Sequence, residues 1–305
     1  MTALTLPHAV GLPTRADPRG DEPLSTLLEA PVSRWTDARG GLTPELGGRY
    51  DGDLRIPLNA GRPTVVANFA ETLDGVVAMD ARGRTGGGEI SGYSPTDRFL
   101  MGLLRALADV VLVGGAVARR SRRVARTPGA VAPDAATALA ELRTSLGLPP
   151  HPTTLVLTAS GDLDPTLPGF AGRDAPVVIA APDAVATRLR RAGFGRNVTV
   201  EALPADDAHP GAEAAITLAG QLGAGLVVSE AGPRILGELL RADHVDELFL
   251  TLAPQLAGRG EDVERLGLVE DADLWPSLPT WARLASVRRG GDHLYLRYQL
   301  QEPNR

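Results

Sequence analysis

Residues 226–260 read LVVSEAGPRILGELLRADHVDELFLTLAPQLAGRG, and this stretch decides the fold. Leu226, Val227 and Val228 form a short apolar run, the length of a buried strand. Glu230-Ala231-Gly232-Pro233 breaks it. Pro233 suits the first turn of a helix, where a missing N–H costs nothing. Ile235, Leu236, Leu239 and Leu240 recur at helical spacing, and Leu248 to Leu252 forms the next strand. A glycine turn from a buried strand into a helix gathers free backbone N–H groups at one point, which favours a phosphate. Glu230 sets a carboxylate beside that point. The pair suits a ligand carrying both a phosphate and hydrogen-bond donors. An ordinary structural strand–helix–strand unit has the same pattern, so the choice rests on the other segments.

The alternation extends to both sides. Thr64 to Phe69 is a strand, followed by the turn Thr72-Leu73-Asp74-Gly75 and a glycine-rich loop from Ala81 to Gly92. Thr96 to Ala108 is a helix with Phe99, Leu100, Leu103, Leu104 and Leu107 on its inner face. Val110 to Val113 is an apolar strand ended by Gly114-Gly115, then a basic loop runs from Arg119 to Pro133. Further strands are expected at 154–157, 177–180 and 198–202, and further helices at 135–146, 184–192 and 212–222. Strands near 284–287 and 294–298 form an antiparallel addition. Strands alternating with helices predict an α/β fold of three layers, α/β/α, around a mainly parallel sheet. Both 226–228 and 110–113 are uninterrupted apolar runs, so both are expected at the centre of the sheet. No repeat or long linker divides 62–300, which reads as one domain. Residues 1–61 read as an N-terminal extension, partly extended and packed on that domain, with a short helix at Leu24–Leu28.

Composition excludes several functions. The 305 residues are 43% hydrophobic and 22% charged, with net charge -6 and no basic stripe, which argues against a nucleic-acid partner. There are no cysteines, so disulfides, thiol nucleophiles and cysteine-ligated zinc are out. The five histidines lack metal-ligand spacing, so no metal is expected. No apolar run approaches the ~20 residues of a membrane span. The N-terminus lacks a signal peptide's basic start and apolar core, and a cytoplasmic protein is expected.

Ligands of parallel sheets bind at the carboxyl ends of strands. Four such ends carry unusual residues: Asn68, Ala70 and Asp74-Gly75; Gly114-Gly115-Ala116-Val117; Thr158, Ser160 and Gly161; and Glu230 to Arg234. Each alone is compatible with a plain turn; together they point to a site. Arg105, near the apolar face of its helix, has two readings. Its head can snorkel to water, or its fork can clamp a substrate phosphate.

The segments ANFAETLDG (67–75), TDRFLMGLLRALADVVLVGG (96–115) and SEAGPRILGELLRADHVDELFLTLAPQLAGRG (229–260) resemble the riboflavin-biosynthesis pyrimidine reductase family. This is the reductase half of the bifunctional deaminase–reductase, with a dihydrofolate-reductase-like fold, and the stand-alone actinobacterial members are most similar in character. The resemblance covers about 62–300. It implies hydride transfer from NADPH, with NADH as the alternative, to the ribosyl carbon of a phosphorylated aminouracil, in a homodimer built on the strands near 248–252 and 294–298. Ala70 to Gly75 would border nicotinamide and substrate, with Asn68 beside it. Arg105 and Glu230 would hold substrate, and Asp74 and Glu230 are the acids placed to steer or relay a proton. Gly114, Gly115, Val117, Thr158 and Ser160 would face the cofactor, as would Ala231, Gly232, Pro233, Arg234, Ile235 and Leu236, with phosphates on the backbone of the Gly232 turn. The pattern departs from the family on the cofactor side. A G-A-G-T-like turn is here Gly114-Gly115-Ala116-Val117, a T-R-S-G-like turn is Thr158-Ala159-Ser160-Gly161, and EGGP is EAGP. The basic run 119–126 either replaces lost phosphate contacts or is a solvated charge run. Two alternatives stand beside a pyrimidine or pterin reductase: a diverged, non-catalytic binding protein on the same fold, and dihydrofolate-reductase-like activity.

Overall fold

The computed structural model describes residues 23–30, 37–79, 87–120, 126–171, 175–206, 209–260, 264–276 and 280–300. Ten strands form the main sheet: β1 (Ser25–Glu29), β2 (Thr64–Thr72), β3 (Val110–Gly114), β4 (Thr153–Leu157), β5 (Val177–Pro182), β6 (Val198–Leu203), β7 (Leu226–Ser229), β8 (Glu247–Ala253), β9 (Ala282–Gly290) and β10 (His293–Leu300). Their order is β1-β9-β10-β8-β2-β7-β3-β4-β5-β6. The block from β8 through β2 and β7 to β6 is parallel. β10, β9 and β1 continue it antiparallel. The sheet is thus α/β and mainly parallel, with β7 and β3 both interior.

Alternation within each central strand builds two cores. Val66, Val111, Val113, Val156, Leu226 and Val228 face the helices Pro95–Leu107, Ala136–Ser145 and Asp183–Leu189. Val65, Ala67, Val110, Leu112, Leu155 and Val227 face Ala212–Gln221 and Pro233–Arg241. Strands covered on both faces need such continuous apolar runs, and β7 and β3 have them. The helix Pro95–Leu107 starts on Ser94, whose Oγ accepts from Asp97 N at 3.3 Å, with Pro95 in its first turn. Its last carbonyls are satisfied by buried Arg143, whose Nη1 donates to the carbonyls of Arg105, Ala106 and Ala108.

Residues before 62 join this core. Leu24, Leu46, Tyr50, Leu54 and Ile56 are buried beside Phe99, Leu103 and Phe249. Burial of each such side chain is worth about 1.5–3 kcal/mol. The helix expected at Leu24–Leu28 is instead the edge strand β1, paired to β9. Isolated helices shorter than ~12–15 residues are marginal, whereas β9 offers this segment a ready ladder. Arg288 on β9 ties the region down: it stacks 3.9 Å from the Tyr50 ring and donates from Nε to Tyr50 O at 2.9 Å.

Three further details differ from the sequence reading. Gly115 opens a short helix, Gly115–Arg120, directly after β3. Pro128–Val131 is a short helix and Pro133–Ala135 a 3-10 turn, each begun by a proline where no N–H is needed. Gly87–Ile90 is helical within the glycine-rich stretch. Residues 81–86 and 121–125 lie outside the described residues, as do the first 22. Among the described residues, no helix is long and apolar enough to cross a membrane. The strands 247–253 and 293–300 have both edges paired within the sheet, so a dimer built on them would use their faces.

Candidate active site

The four strand ends singled out in the sequence belong to β2, β7, β3 and β4, which are consecutive in the sheet. Their loops therefore converge on one rim. β2 is flanked by β7 and β8, both reached through helices on one face, while β2 leads to β3 by a helix on the other. Such a reversal of winding opens the crevice in which ligands of open α/β sheets bind.

Glu230 follows β7 directly, and its N–H still donates to Leu112 O at 2.9 Å. Ser229 belongs to the opposite face, so Glu230 falls on the side of helix Pro95–Leu107. Arg105 meets it there, Nε to Oε1 at 2.6 Å and Nη2 to Oε2 at 2.7 Å. The two side chains are 4% and 9% exposed. Arg105 Nη1 also donates to Thr127 O at 3.4 Å. The fork offered to a phosphate in the sequence reading is thus filled by Glu230. Arg126 lies behind, Nε 3.9 Å from Glu230 Oε2, with its own N–H donating to Thr154 Oγ1 at 3.0 Å. That Nε is sealed from solvent and makes no hydrogen bond among the described residues. Burial alone would raise the Glu230 carboxyl, but Arg105 and Arg126 outweigh it and hold the group below the usual carboxylate range. Burial pulls the Arg126 guanidinium down to about 10, so it stays charged at neutral pH.

Asp74 is committed differently. Thr72 Oγ1 donates to its Oδ1 at 2.6 Å, Ala257 N to Oδ1 at 3.0 Å and Gly258 N to Oδ2 at 2.7 Å. The Thr72 hydroxyl first, then these amides, lower the carboxyl to about 2. Gly75, at φ 81°, supplies the left-handed turn that aims Asp74 at the 254–260 loop. This geometry makes Asp74 a latch between two loops, ionised at neutral pH. Asn68 shares the Arg105 face and pairs with Phe249, while Ala70 pairs with Thr251.

The cofactor-side candidates divide. Gly115 passes so close to β4 that a Cβ there would meet Thr158 Oγ1 at 2.7 Å, so glycine is required. Thr158 is buried, its Oγ1 accepting from Gly161 N at 3.0 Å. Ser160 receives cations from two other elements: Arg119 Nη1 donates to its Oγ at 3.5 Å and Arg188 Nη2 to its carbonyl. The arginine missing at position 159 is matched by these two. Gly232 caps helix Pro233–Arg241 with open space where a Cβ would stand. Ala231 and Leu236 are buried in the core, with Ile235 packed against it and Gly114 beneath, so their side chains pack, and the Leu236 N–H donates to Gly232 O at 3.1 Å. Arg234 pairs with Asp271 at 2.9 Å and Glu264 at 3.3 Å. Val117 packs against the other core. Close backbone at Gly115, a helix N-terminus at Gly232 and two arginines at Ser160 fit a dinucleotide. Arg188 escaped the sequence reading, because it belongs to no motif and reaches Ser160 from the helix Asp183–Leu189, whereas Arg126 ends the basic run 119–126 already weighed as a source of phosphate contacts.

Fold and rim together define an α/β protein whose candidate residues gather at adjacent strand ends of a mainly parallel sheet. The RibD C-terminal domain model matches residues 63–292. The chain belongs to the RibD C-terminal domain family. Among solved structures, it is similar to a diaminohydroxyphosphoribosylaminopyrimidine deaminase/5-amino-6-(5-phosphoribosylamino)uracil reductase from Thermotoga maritima, at 18% identity and TM-score 0.56. That match covers 78% of this chain and 56% of the other. A pyrimidine reductase-like protein from Corynebacterium diphtheriae matches at 20% identity and TM-score 0.56, covering 79% of this chain and 93% of that one. A riboflavin biosynthesis reductase from Saccharomyces cerevisiae matches at 16% identity and TM-score 0.52, covering 80% and 92%. No curated protein matches the sequence.

Proposed function

We propose that this chain is a reductase of the riboflavin pathway acting on a phosphoribosylaminopyrimidine, with hydride supplied by a reduced nicotinamide dinucleotide. The observation that carries the proposal is the meeting of four candidate strand ends on one rim, within the segment matched by the family model. The cofactor supplies the hydride when bound. The protein's part is binding, orientation and charge. Backbone amides at the Gly232 turn would take the pyrophosphate. Arg119 and Arg188 at Ser160 favour a 2′-phosphate, hence NADPH over NADH. The Asp74 latch would fix the loops that border the reacting ring, and the Arg105–Glu230 pair would fix the rim from beneath. A homodimer in the cytoplasm is the expected working form, and light scattering tests the dimer.

The test is NADPH oxidation by purified protein with the phosphoribosylaminouracil substrate, followed by absorbance. Turnover supports the reading. NADPH binding without turnover favours the second reading, a diverged binding protein on this fold. That reading draws on the closed Arg105–Glu230 pair and the altered GGAV and EAGP turns.

A further inference from the structure

Glu230 and Asp74 spend their carboxylate oxygens inside the protein, on Arg105 and on the donors of Thr72, Ala257 and Gly258. Glu71, in the same strand end as Asp74, does not. It continues the face of β2 that carries Val65, Ala67 and Phe69, the face towards helix Pro233–Arg241 and the Gly232 turn. β7 stops at Ser229, level with Ala67, so Glu71 stands beyond its end and keeps a paired strand only on the β8 side, opposite Leu252. The side chain is partly buried. Gly75 leaves room beside it, since a Cβ there would meet Glu71 Oε1 at 3.4 Å. Arg259 passes the same glycine, but its Nη2 donates to Gly75 O at 3.4 Å and makes no ion pair with Glu71. Among the described residues Glu71 has neither a hydrogen bond nor an ion pair, and burial, with nothing opposing it, pushes its carboxyl above the usual range. A carboxylate drawn partly out of water without a donor is a cost that the fold itself does not recover.

We propose that Glu71 is the open hydrogen-bond acceptor of the site, taking the N–H donors of a primary amide or amino group on a planar ligand ring. The carboxamide of a nicotinamide and the amino groups of an aminopyrimidine both carry that group. The proposal rests on the reductase reading for these two sources, and on the open oxygens of Glu71 for the residue. An ionised carboxylate only accepts, so a ligand that swaps the N–H group for a methyl ketone or a bare ring carbon has nothing to offer it.

Calorimetric titration of purified protein with two ligand pairs tests the assignment. The first pair is NADPH and its reduced acetylpyridine analogue, which has a methyl ketone in place of the carboxamide. The second is diaminouracil and uracil. Wild type should favour the N–H-bearing member of one or both pairs by about tenfold or more, as a hydrogen bond to a charged group allows. A preference in the first pair assigns the nicotinamide ring to Glu71, and one in the second assigns the pyrimidine. Glu71→Ala should erase the preference, and Glu71→Gln, which keeps a carbonyl acceptor, should retain part of it. Neither variant should unfold more readily than wild type, because no internal bond is lost. A preference unchanged in Glu71→Ala overturns the proposal, as does a wild type with none in either pair, or a loss of folding stability in Glu71→Ala that would mark a structural group. NADPH oxidation with the phosphoribosylaminouracil substrate, followed in parallel, separates this residue from the wider reading. Turnover by a wild type that shows no preference would remove Glu71 and keep the reductase. A preference that Glu71→Ala erases, in a protein without turnover, would keep Glu71 and remove the reductase.

Discussion

Arg105 and Glu230 are bound to each other from adjacent layers, a helix residue closing its guanidinium fork on the first residue after a central strand, at 2.6 and 2.7 Å. The pair joins the helix Pro95–Leu107 to the turn at Gly232. Its burial decides what its removal does.

Glu230→Gln leaves two buried guanidinium groups without a carboxylate. Breaking one side of a buried pair costs about 3–5 kcal/mol. Denaturant unfolding should show a loss of that size for Glu230→Gln and Arg105→Ala singly. The double variant should be less destabilised than the sum. Additive losses would mean that the pair carries no coupling.

Asp74 predicts a pH dependence. Its folded pKa lies near 2, below the ordinary 3.8. The latch therefore contributes stability fully above about pH 4 and loses it as pH falls through about 2. Amide exchange at Ala257 and Gly258 should stay slow from neutral pH to about 4, then quicken. Asp74→Asn should quicken it at every pH. An activity limb near neutral pH that vanishes in Asp74→Asn would show instead that the group titrates during turnover.

Two glycines should behave in opposite ways. Gly115→Ala drives a methyl into Thr158, an overpacking that costs about 1–3 kcal/mol. Gly232 has open space at its Cβ, so Gly232→Asp should fold normally. It would still put a carboxylate where the cofactor phosphates are proposed to lie and cost ~2–4 kcal/mol of NADPH binding. Normal NADPH affinity in Gly232→Asp would take the turn out of the site.

Removal of residues 1–57 should unfold the remainder. Leu46, Leu54 and Ile56 are fully buried against 62–300, and about 1.5–3 kcal/mol for each of them is together comparable to the whole stability of a domain, about 5–15 kcal/mol. A folded, monodisperse 58–305 fragment would contradict this.

The central strands and most helices were legible because buried parallel strands must be continuously apolar: 110–113 and 226–228 could hardly be anything else. Leu24–Leu28 was not, because its pattern of one buried residue among exposed ones fits a helix end and an edge strand equally, and only β9 settles it. At the site, Glu230 and Asp74 stood out as acids beside glycine turns, but their partners are distant in sequence. Asp74 bonds to amides more than 180 residues away. Arg105 is 125 residues from Glu230. No local pattern encodes such pairings, so a clamp for ligand and a clamp for the protein itself looked alike. The arginine absent from the 158–161 turn was likewise read as a loss, whereas Arg188 reaches that turn from the next helix but one.

The edge strand β1 has one further consequence. β9 is not the edge of the sheet only because the chain returns a piece of its own N-terminal part to cover it. With β1 detached, β9 would present a row of bare amides and carbonyls, the kind of edge that recruits a strand from another molecule. The same five residues, Ser25–Glu29, could fill that row from a neighbouring copy. Solubility and strand exchange in this protein therefore depend on how firmly Arg288 holds Glu29 and Tyr50, far from any chemistry at the rim.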